Sequence, residues 1–128
     1  MPYHVKFRDV KRTIYYEGDA TVVEYNTPAG KVRTRVVYDE SMRQAGITLS
    51  HVQDHPIKTV KDYEAVAYLF EQAAVYPNYD GILQLKEEVG DRGLIVGTAS
   101  MGASAMHHIL HELMPYDLFF FEYYDHYD

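Results

Sequence analysis

The first part of the chain alternates between apolar and polar positions, which is the period of β-strands. Three runs rich in β-branched and aromatic residues span 12–17, 21–26 and 31–38, with turn-forming sequence at Gly18-Asp19 and at 27–30 between them. Short turns of this kind join antiparallel strands. The pattern therefore predicts an antiparallel meander.

The third run also predicts which side of this sheet is covered. Val32, Thr34, Val36 and Tyr38 alternate with Arg33, Arg35 and Val37, so one face is more apolar than the other. We expect that face to pack against other elements. A further β-biased stretch, 47–58, contains Pro56, which opposes direct continuation into a helix.

From Thr59 onward the apolar residues recur at helical spacing. A helix-start signature at Thr59 and Asp62 predicts a helix over 60–72, and a second helix is expected after Asn78, ended by Gly90. A third is predicted over 103–113 and a fourth from Asp117 onward. Between them, the apolar sequence GLIVGTA at 93–99 is typical of a short strand buried on both faces.

These elements predict an α+β fold, with an antiparallel β-meander, three to four helices and one short buried strand. A chain of 128 residues is long enough for one modest core and too short for a complete barrel of typically about 250 residues. We therefore expect a single domain over 1–128, β-rich over 1–55 and helical over 56–128.

Charge and cysteine content narrow the classes of function. The formal net charge of -7 leaves no basic stripe for a phosphate backbone, so no nucleic-acid partner is expected. The sequence has no cysteine, which excludes disulfides, thiolate nucleophiles and sulfur-ligated zinc. No stretch has the pattern of a signal peptide or membrane span, so we expect a cytoplasmic protein without a membrane partner.

The sequence MHHILHELM, at 106–114, concentrates candidate chemistry in one predicted helix. His107 and His111 lie one turn apart, a spacing that can chelate a divalent ion. The metalloprotease signature requires glutamate directly after its first histidine, and here that position is His108, so the general base is missing. Metal binding at His107 and His111 is therefore the weaker hypothesis, and polar residues lining a pocket or a solvated face the stronger.

Two other segments offer candidate sites. The sequence GTASMGAS, at 97–104, joins the predicted buried strand to a helix. Gly97, Gly102 and the small residues between them form a turn that can present backbone amides to an anionic group; tight packing is the alternative. Asp54 and His55 can form an acid–base pair, although an exposed loop explains them equally well.

The order of three sequence motifs resembles the uroporphyrinogen decarboxylase superfamily, most closely its corrinoid-dependent methyltransferase-like members. The motifs are YNTPAGKVRTRVVY at 25–38, HPIKTVKDYEAV at 55–66 and GLIVGTASMGASAMHHILHELM at 93–114. The resemblance runs from about Tyr3 to the end of the chain. It implies a (β/α)8 barrel of which this chain supplies an internal piece from the first half. The family's N-terminal arginine motif has no counterpart before Tyr3.

The resemblance also implies where a ligand would bind. The decarboxylases carry a functional tyrosine in a G-A-P-W-T context after the third barrel strand, and His108 aligns close to it, with His107 adjacent, although the proline and tryptophan are missing here. The implied substrate-binding residues are His107, His108, Gly97 and Ser100, with no catalytic residue assigned. The cysteine ligands for zinc in the methyltransferase branch are absent from this sequence. Corrinoid and zinc are expected only for an intact parent protein, with a corrinoid protein as its partner.

Three functional hypotheses follow. The first is a fragment or truncated relative of a uroporphyrinogen decarboxylase-like methyltransferase, inactive alone. The second is a non-enzymatic module that self-associates or binds a partner, and the third is a small metal-binding domain. A homo-oligomer is expected in any case, because apolar and aromatic residues cover nearly every side of the predicted C-terminal helix: Leu118, Phe119, Phe120, Phe121, Tyr123, Tyr124 and Tyr127.

Overall fold

The computed structural model of the chain describes residues 3–96 and 104–126, which form an α+β fold with antiparallel sheets. The strands in this part are β1 (Tyr3–Phe7), β2 (Lys11–Glu17), β3 (Ala20–Thr27), β4 (Gly30–Val37), β5 (His51–Asp54) and β6 (Ala73–Pro77). The helices are α1 (Glu40–Gln44), α2 (Asp62–Gln72), α3 (Tyr79–Val89), α4 (Ala105–His108) and α5 (Tyr116–Asp125). A 3-10 turn follows α3 at Gly90–Arg92, and a π-helical segment follows α4 at Ile109–Leu113.

The predicted meander is confirmed as a four-stranded antiparallel sheet in the order β2-β3-β4-β5. Two-residue turns close its first two hairpins, because Glu17 pairs with Ala20 and Thr27 pairs with Gly30. Gly18 has φ of 60°, a left-handed conformation that glycine adopts without steric cost. One irregularity, between Arg35 and Val36, shifts the register where β4 meets β5. The β-biased stretch before Pro56 thus supplies the fourth strand.

The apolar face of this sheet is covered by α2, as the alternation in β4 predicted. Val32 on the sheet packs with Ala65 and Val66 on α2, and with Ile57 and Met114 from other parts of the chain. All five are at most 5% exposed. Helix α2 begins at Asp62, two residues after the predicted start, and the Asp62 carboxylate accepts hydrogen bonds from the backbone N–H groups of Lys58 and Thr59 at 3.0 and 2.8 Å.

A second sheet was not expected from the sequence. Strands β1 and β6 form a two-stranded antiparallel ribbon in which Tyr3 pairs with Pro77 and Phe7 with Ala73. Residues 73–77, directly after the predicted helix over 60–72, form β6. The short helix α1 was also not expected; the Asp39 side chain caps it by accepting a hydrogen bond from the backbone N–H of Met42. The β1–β6 ribbon and α1 both depend on contacts with other residues, and apolar spacing along the sequence does not reveal those contacts.

The predicted buried strand at 93–99 is wrong for residues 93–96, which form no strand. Leu94 is 95% exposed and Val96 is 86% exposed. A strand buried on both faces needs neighbours in a parallel sheet, and the sheets formed by residues 3–96 and 104–126 are antiparallel and do not close into a barrel. Residues 97–99 lie outside the described part of the chain.

The remaining helices agree with the sequence. Helix α3 ends at Val89, directly before Gly90, and α5 covers the aromatic segment. The third predicted helix begins in the described part as α4 and continues as the π-helical segment. None of the helices formed by residues 3–96 and 104–126 has both the length and the apolar character needed to cross a bilayer.

Candidate functional site

Four histidines from two distant parts of the sequence line one cavity of about 590 Å³, here called the histidine pocket. One wall is β5 with its flanks, and the other runs from α4 through the π-helical segment to the start of α5. The volume lies in the range of small-molecule sites, roughly 300–1,000 Å³. The residues that line the pocket are Leu49, Ser50, His51, Val52, His55, His107, Leu110, His111, Glu112, Pro115 and Tyr116.

The two walls are joined just outside the pocket by main-chain and core contacts. The backbone N–H of Ile57 donates to the carbonyl oxygen of Leu113 at 2.9 Å. Ile57 and Met114 are 3% and 5% exposed and lie in the same core cluster. Because each wall continues directly into this core, the spacing between the walls is fixed by packing rather than by the pocket residues themselves.

The local helix geometry sets the orientation of the second wall. The Ser104 side chain accepts a hydrogen bond from the backbone N–H of His107 at 3.1 Å and caps α4. The helix then widens, because the N–H of Met114 bonds to the carbonyl of Ile109, five residues earlier, at 3.1 Å. Such π-helical insertions occur frequently at functional sites.

His107, His111 and Tyr116 form a connected group inside the pocket. The two imidazole rings stack with centroids 4.2 Å apart and planes 27° apart. His111 Nε2 shares a hydrogen bond of 3.1 Å with the Tyr116 hydroxyl, whose direction depends on the histidine tautomer. The group can offer ring nitrogens and a hydroxyl to a polar ligand, and flat ring faces to a planar one.

On the opposite wall, His55 is held toward its neutral form. Burial is the largest cause of its lowered pKa, and the nearby His51 lowers it further. A hydrogen bond to the backbone carbonyl of His111 and the charges of Asp54 and Glu112 act in the other direction. A neutral imidazole can donate one hydrogen bond and accept another at neutral pH, so His55 suits ligand binding without a fixed charge.

The hypothesis of an acid–base pair at Asp54 and His55 gains no support from the geometry around Asp54. One carboxylate oxygen contacts Lys58 Nζ at 2.8 Å, and the other contacts Arg33 Nε at 3.2 Å. Both carboxylate oxygens of Asp54 are therefore engaged by cationic side chains rather than by the His55 ring. Asp54 therefore serves to fix β5 against β4 and Lys58.

The side chains of this pocket form a poor set of metal ligands. In residues 3–96 and 104–126, no group of three or more histidine, aspartate or glutamate side chains is arranged to hold a metal ion. His107 and His111 are close, and their rings stack on one another. Two ligands in that arrangement make a weak site at most.

The structure describes two of the four residues predicted to bind substrate, and it places them in different cavities. His107 lies in the histidine pocket, whereas the adjacent His108 lines a second cavity of about 520 Å³ bounded by α2 and by strands of both sheets. Glu112 borders both cavities. Gly97 and Ser100 lie outside the described residues. That any of the four binds substrate stays a prediction.

Sequence reasoning missed two members of the pocket, His51 and Tyr116. His51 begins a short strand with no distinguishing motif, and Tyr116 is one of 13 tyrosines. His51, His55 and Pro56 do lie close together in the sequence, but nothing in that spacing indicates that they meet His111. Only the contact between the two walls shows it.

Searches of protein-family models, of curated proteins and of solved structures found no significant match to this chain.

Proposed function

We propose that this chain is a binding segment related to the uroporphyrinogen decarboxylase superfamily, which contacts the rim of a tetrapyrrole through the histidine pocket and does not catalyse a reaction by itself. The proposed relationship to the superfamily rests on the sequence resemblance. The binding role rests on one structural observation, the convergence of His51, His55, His107 and His111 on a single cavity. The resemblance implies two candidate ligands, the porphyrinogen of the decarboxylases and the corrinoid of the methyltransferase-like members.

The chemistry of the pocket suits the edge of such a ligand. Tetrapyrroles of both kinds carry carboxylate or amide side chains around a ring system, and these accept hydrogen bonds. Imidazole N–H groups and the Tyr116 hydroxyl are donors. A cavity of about 590 Å³ is too small to enclose a whole macrocycle with its side chains, so only the rim can enter. Glu112 at the border would disfavour a fully anionic rim.

The architecture supports the proposal of binding without turnover. Barrel active sites assemble catalytic groups from the ends of several parallel strands, whereas the strands described here form antiparallel sheets. In the pocket, the best candidate for a proton acceptor is His55, and the carboxylate of the adjacent Asp54 is engaged by Lys58 and Arg33. The chain thus offers part of a binding surface.

A titration with uroporphyrin tests this proposal, because the fluorescence anisotropy of the porphyrin reports binding directly. We expect saturable binding, weakened at least about tenfold by His111→Ala, since a hydrogen bond to a charged group contributes roughly 1.5–3 kcal/mol. The matched control is His4→Ala. His4 stacks on Tyr76 in the β1–β6 ribbon, away from the pocket, and its removal should leave the affinity unchanged.

Two results would overturn the proposal. One is a titration that shows no role for the pocket, either because binding is not saturable or because His111→Ala and His4→Ala lose affinity equally. The other is turnover: we expect the purified chain neither to decarboxylate uroporphyrinogen nor to transfer a methyl group to cobalamin. Activity that disappears in His108→Ala would show that the chain is an enzyme in its own right.

Self-association is a second candidate function, favoured by the exposure of α5. Phe120, Phe121 and Tyr124 are 50%, 67% and 75% exposed, whereas Leu118 and Phe119 pack against the core. Aromatic side chains left in water on one helix form the kind of apolar patch that marks contact surfaces. The proposed partner is another copy of this chain, with α5 contributing to the interface.

A further inference from the structure

The outer edge of β2 is a strand edge that no other strand covers in the described part of the chain. The sheet order places β2 first, paired only with β3, while β1 pairs with β6 in the other sheet. Every β2 residue from Lys11 to Glu17 has a β3 partner in an uninterrupted register. Edge strands of this kind expose main-chain donors and acceptors that can pair with another strand.

The turn after β2 determines which main-chain groups face outward. Residues that flank a two-residue turn exchange hydrogen bonds, and Glu17 and Ala20 flank such a turn. Hydrogen-bonded and non-bonded pairs alternate along an antiparallel ladder. Glu17, Tyr15, Thr13 and Lys11 therefore bond to β3. The N–H and C=O groups of Arg12, Ile14 and Tyr16 point to the open edge.

β2 carries charged residues only toward its ends, and its central part lacks the features that usually prevent edge pairing. Its centre, Thr13-Ile14-Tyr15-Tyr16, consists of strong β-formers without proline, charge or bulge. The opposite edge of the same sheet, β5, is only four residues long and is followed by Pro56. In the second sheet, β6 ends in Pro77. Among the described strands, β2 combines the longest open edge with the least protection.

The sequence of β2 is complementary to itself in one register. When two copies run antiparallel with Ile14 at the two-fold axis, Lys11 lies opposite the partner's Glu17 at both ends. Arg12 then lies opposite the partner's Tyr16, and Ile14 opposite the partner's Ile14. Each pair brings opposite charges, a cation and an aromatic ring, or two apolar side chains together. A shift of two residues in either direction would lose the two ionic pairs.

The side chains at this edge are available for such contacts. Ile14 is 44% exposed and Tyr16 is 77% exposed. Glu17 already contacts Arg35 on β4 across its own sheet, with Oε2 and Nε 3.4 Å apart. Lys11 of a second copy would extend this row to three charges of alternating sign. The charges at the ends thus specify the register, and the apolar centre supplies the burial.

We infer that the chain forms a two-fold symmetric dimer by antiparallel pairing of β2 with β2 of a second copy, which joins the two four-stranded sheets into one continuous sheet. The inference concerns an edge remote from the histidine pocket and does not depend on the proposed tetrapyrrole. It is also separate from association through α5, which would use a helix and not this strand.

Cysteine cross-linking tests the register, because the natural sequence has no cysteine. In the inferred dimer the two residues at position 14 form a pair with Cα atoms about 5.5 Å apart, within the range that a disulfide spans. The two copies of position 16 would be about 14 Å apart along the antiparallel strands. We expect mild oxidation of Ile14→Cys to give at least tenfold more disulfide-linked dimer than Tyr16→Cys. Tyr16 is the matched control because it is more exposed and would react faster in random collisions.

A charge exchange tests the contacts without changing the centre of the strand. Lys11→Glu places glutamate opposite glutamate, and Glu17→Lys places lysine opposite lysine, so each variant alone should lose dimer in sedimentation velocity. An equimolar mixture restores both ionic pairs in the mixed dimer, and we expect it to recover. Circular dichroism checks that each variant remains folded.

Three outcomes would overturn the inference. These are equal cross-linking at positions 14 and 16, no cross-linking at either, and charge variants that dimerise as well as the unaltered chain or do not recover on mixing. Dimerisation through α5 alone would produce the second outcome, since it leaves the two β2 strands apart.

Discussion

Ile57 joins the two walls of the histidine pocket to the core, and its truncation to alanine should destabilise the chain strongly. The side chain is 3% exposed and packs with Val32, Val66 and Met114. Ile57→Ala removes three carbon atoms. At about 0.8 kcal/mol for each buried carbon, the transfer free energy lost is about 2.4 kcal/mol, and the cavity left behind adds to it. We expect a loss of about 3–4 kcal/mol in the free energy of unfolding.

Urea denaturation followed by circular dichroism measures this loss. With a slope of about 1.5–2 kcal/mol/M, the midpoint should fall by about 2 M while the slope stays the same. Ile57→Val removes a single carbon and should cost about 1 kcal/mol. Comparison of Ile57→Ala with Ile57→Val separates a loss of packing in the core from a general disturbance of the segment around Ile57.

Leu94→Ala is the control, because its outcome differs between the sequence prediction and the structure. If residues 93–96 formed a buried strand, the substitution would cost about 2–5 kcal/mol. In the structure Leu94 is 95% exposed, so the change should stay within about 0.5 kcal/mol. Equal losses for Leu94→Ala and Ile57→Ala, or a loss below about 1 kcal/mol for Ile57→Ala, would refute this account of the core.

Three further predictions concern the pocket and α5. Because the pKa of His55 in the folded chain lies below its ordinary value of 6.5, the unfolded chain takes up this proton before the folded chain does as the pH falls. The contribution of His55 to stability is therefore complete above pH 6.5 and is lost as the pH falls through the folded-state pKa. His55→Gln should remove that part of the pH dependence in thermal melts, and an unchanged profile would argue against it. After chelator treatment, we expect metal analysis to find substoichiometric zinc, because His107 and His111 supply two stacked ligands. Added zinc should leave Tm unchanged. One zinc ion per chain, lost in His111→Ala, would contradict this. Replacing the exposed Phe120 and Phe121 with serine should lower the mean particle mass in light scattering at micromolar concentration without unfolding the chain, and an unchanged mass would exclude α5 from the interface.

The sequence by itself determined the elements whose signals are local. Turn residues at Gly18-Asp19 and the alternation of apolar and polar residues in β4 specified the meander and its covered face, because strand period and turn geometry depend on neighbouring residues. The start of α2 followed from Asp62, whose carboxylate caps the preceding backbone N–H groups. These interactions span only a few residues, so they can be identified without the rest of the fold.

Only the tertiary structure decided which segments meet. The apolar run at 93–96 has the composition of a buried strand but finds no strand to pair with, whereas the less distinctive Ala73–Pro77 becomes a strand because β1 pairs with it from the start of the chain. The histidine pocket also depends on contact between distant segments. His107 and His111 share a helical face for local reasons, but His51 and His55 reach them only because Ile57 and Met114 pack in one core. Packing between distant segments depends on the shape and volume of the whole core, and apolar periodicity along the chain carries no record of it.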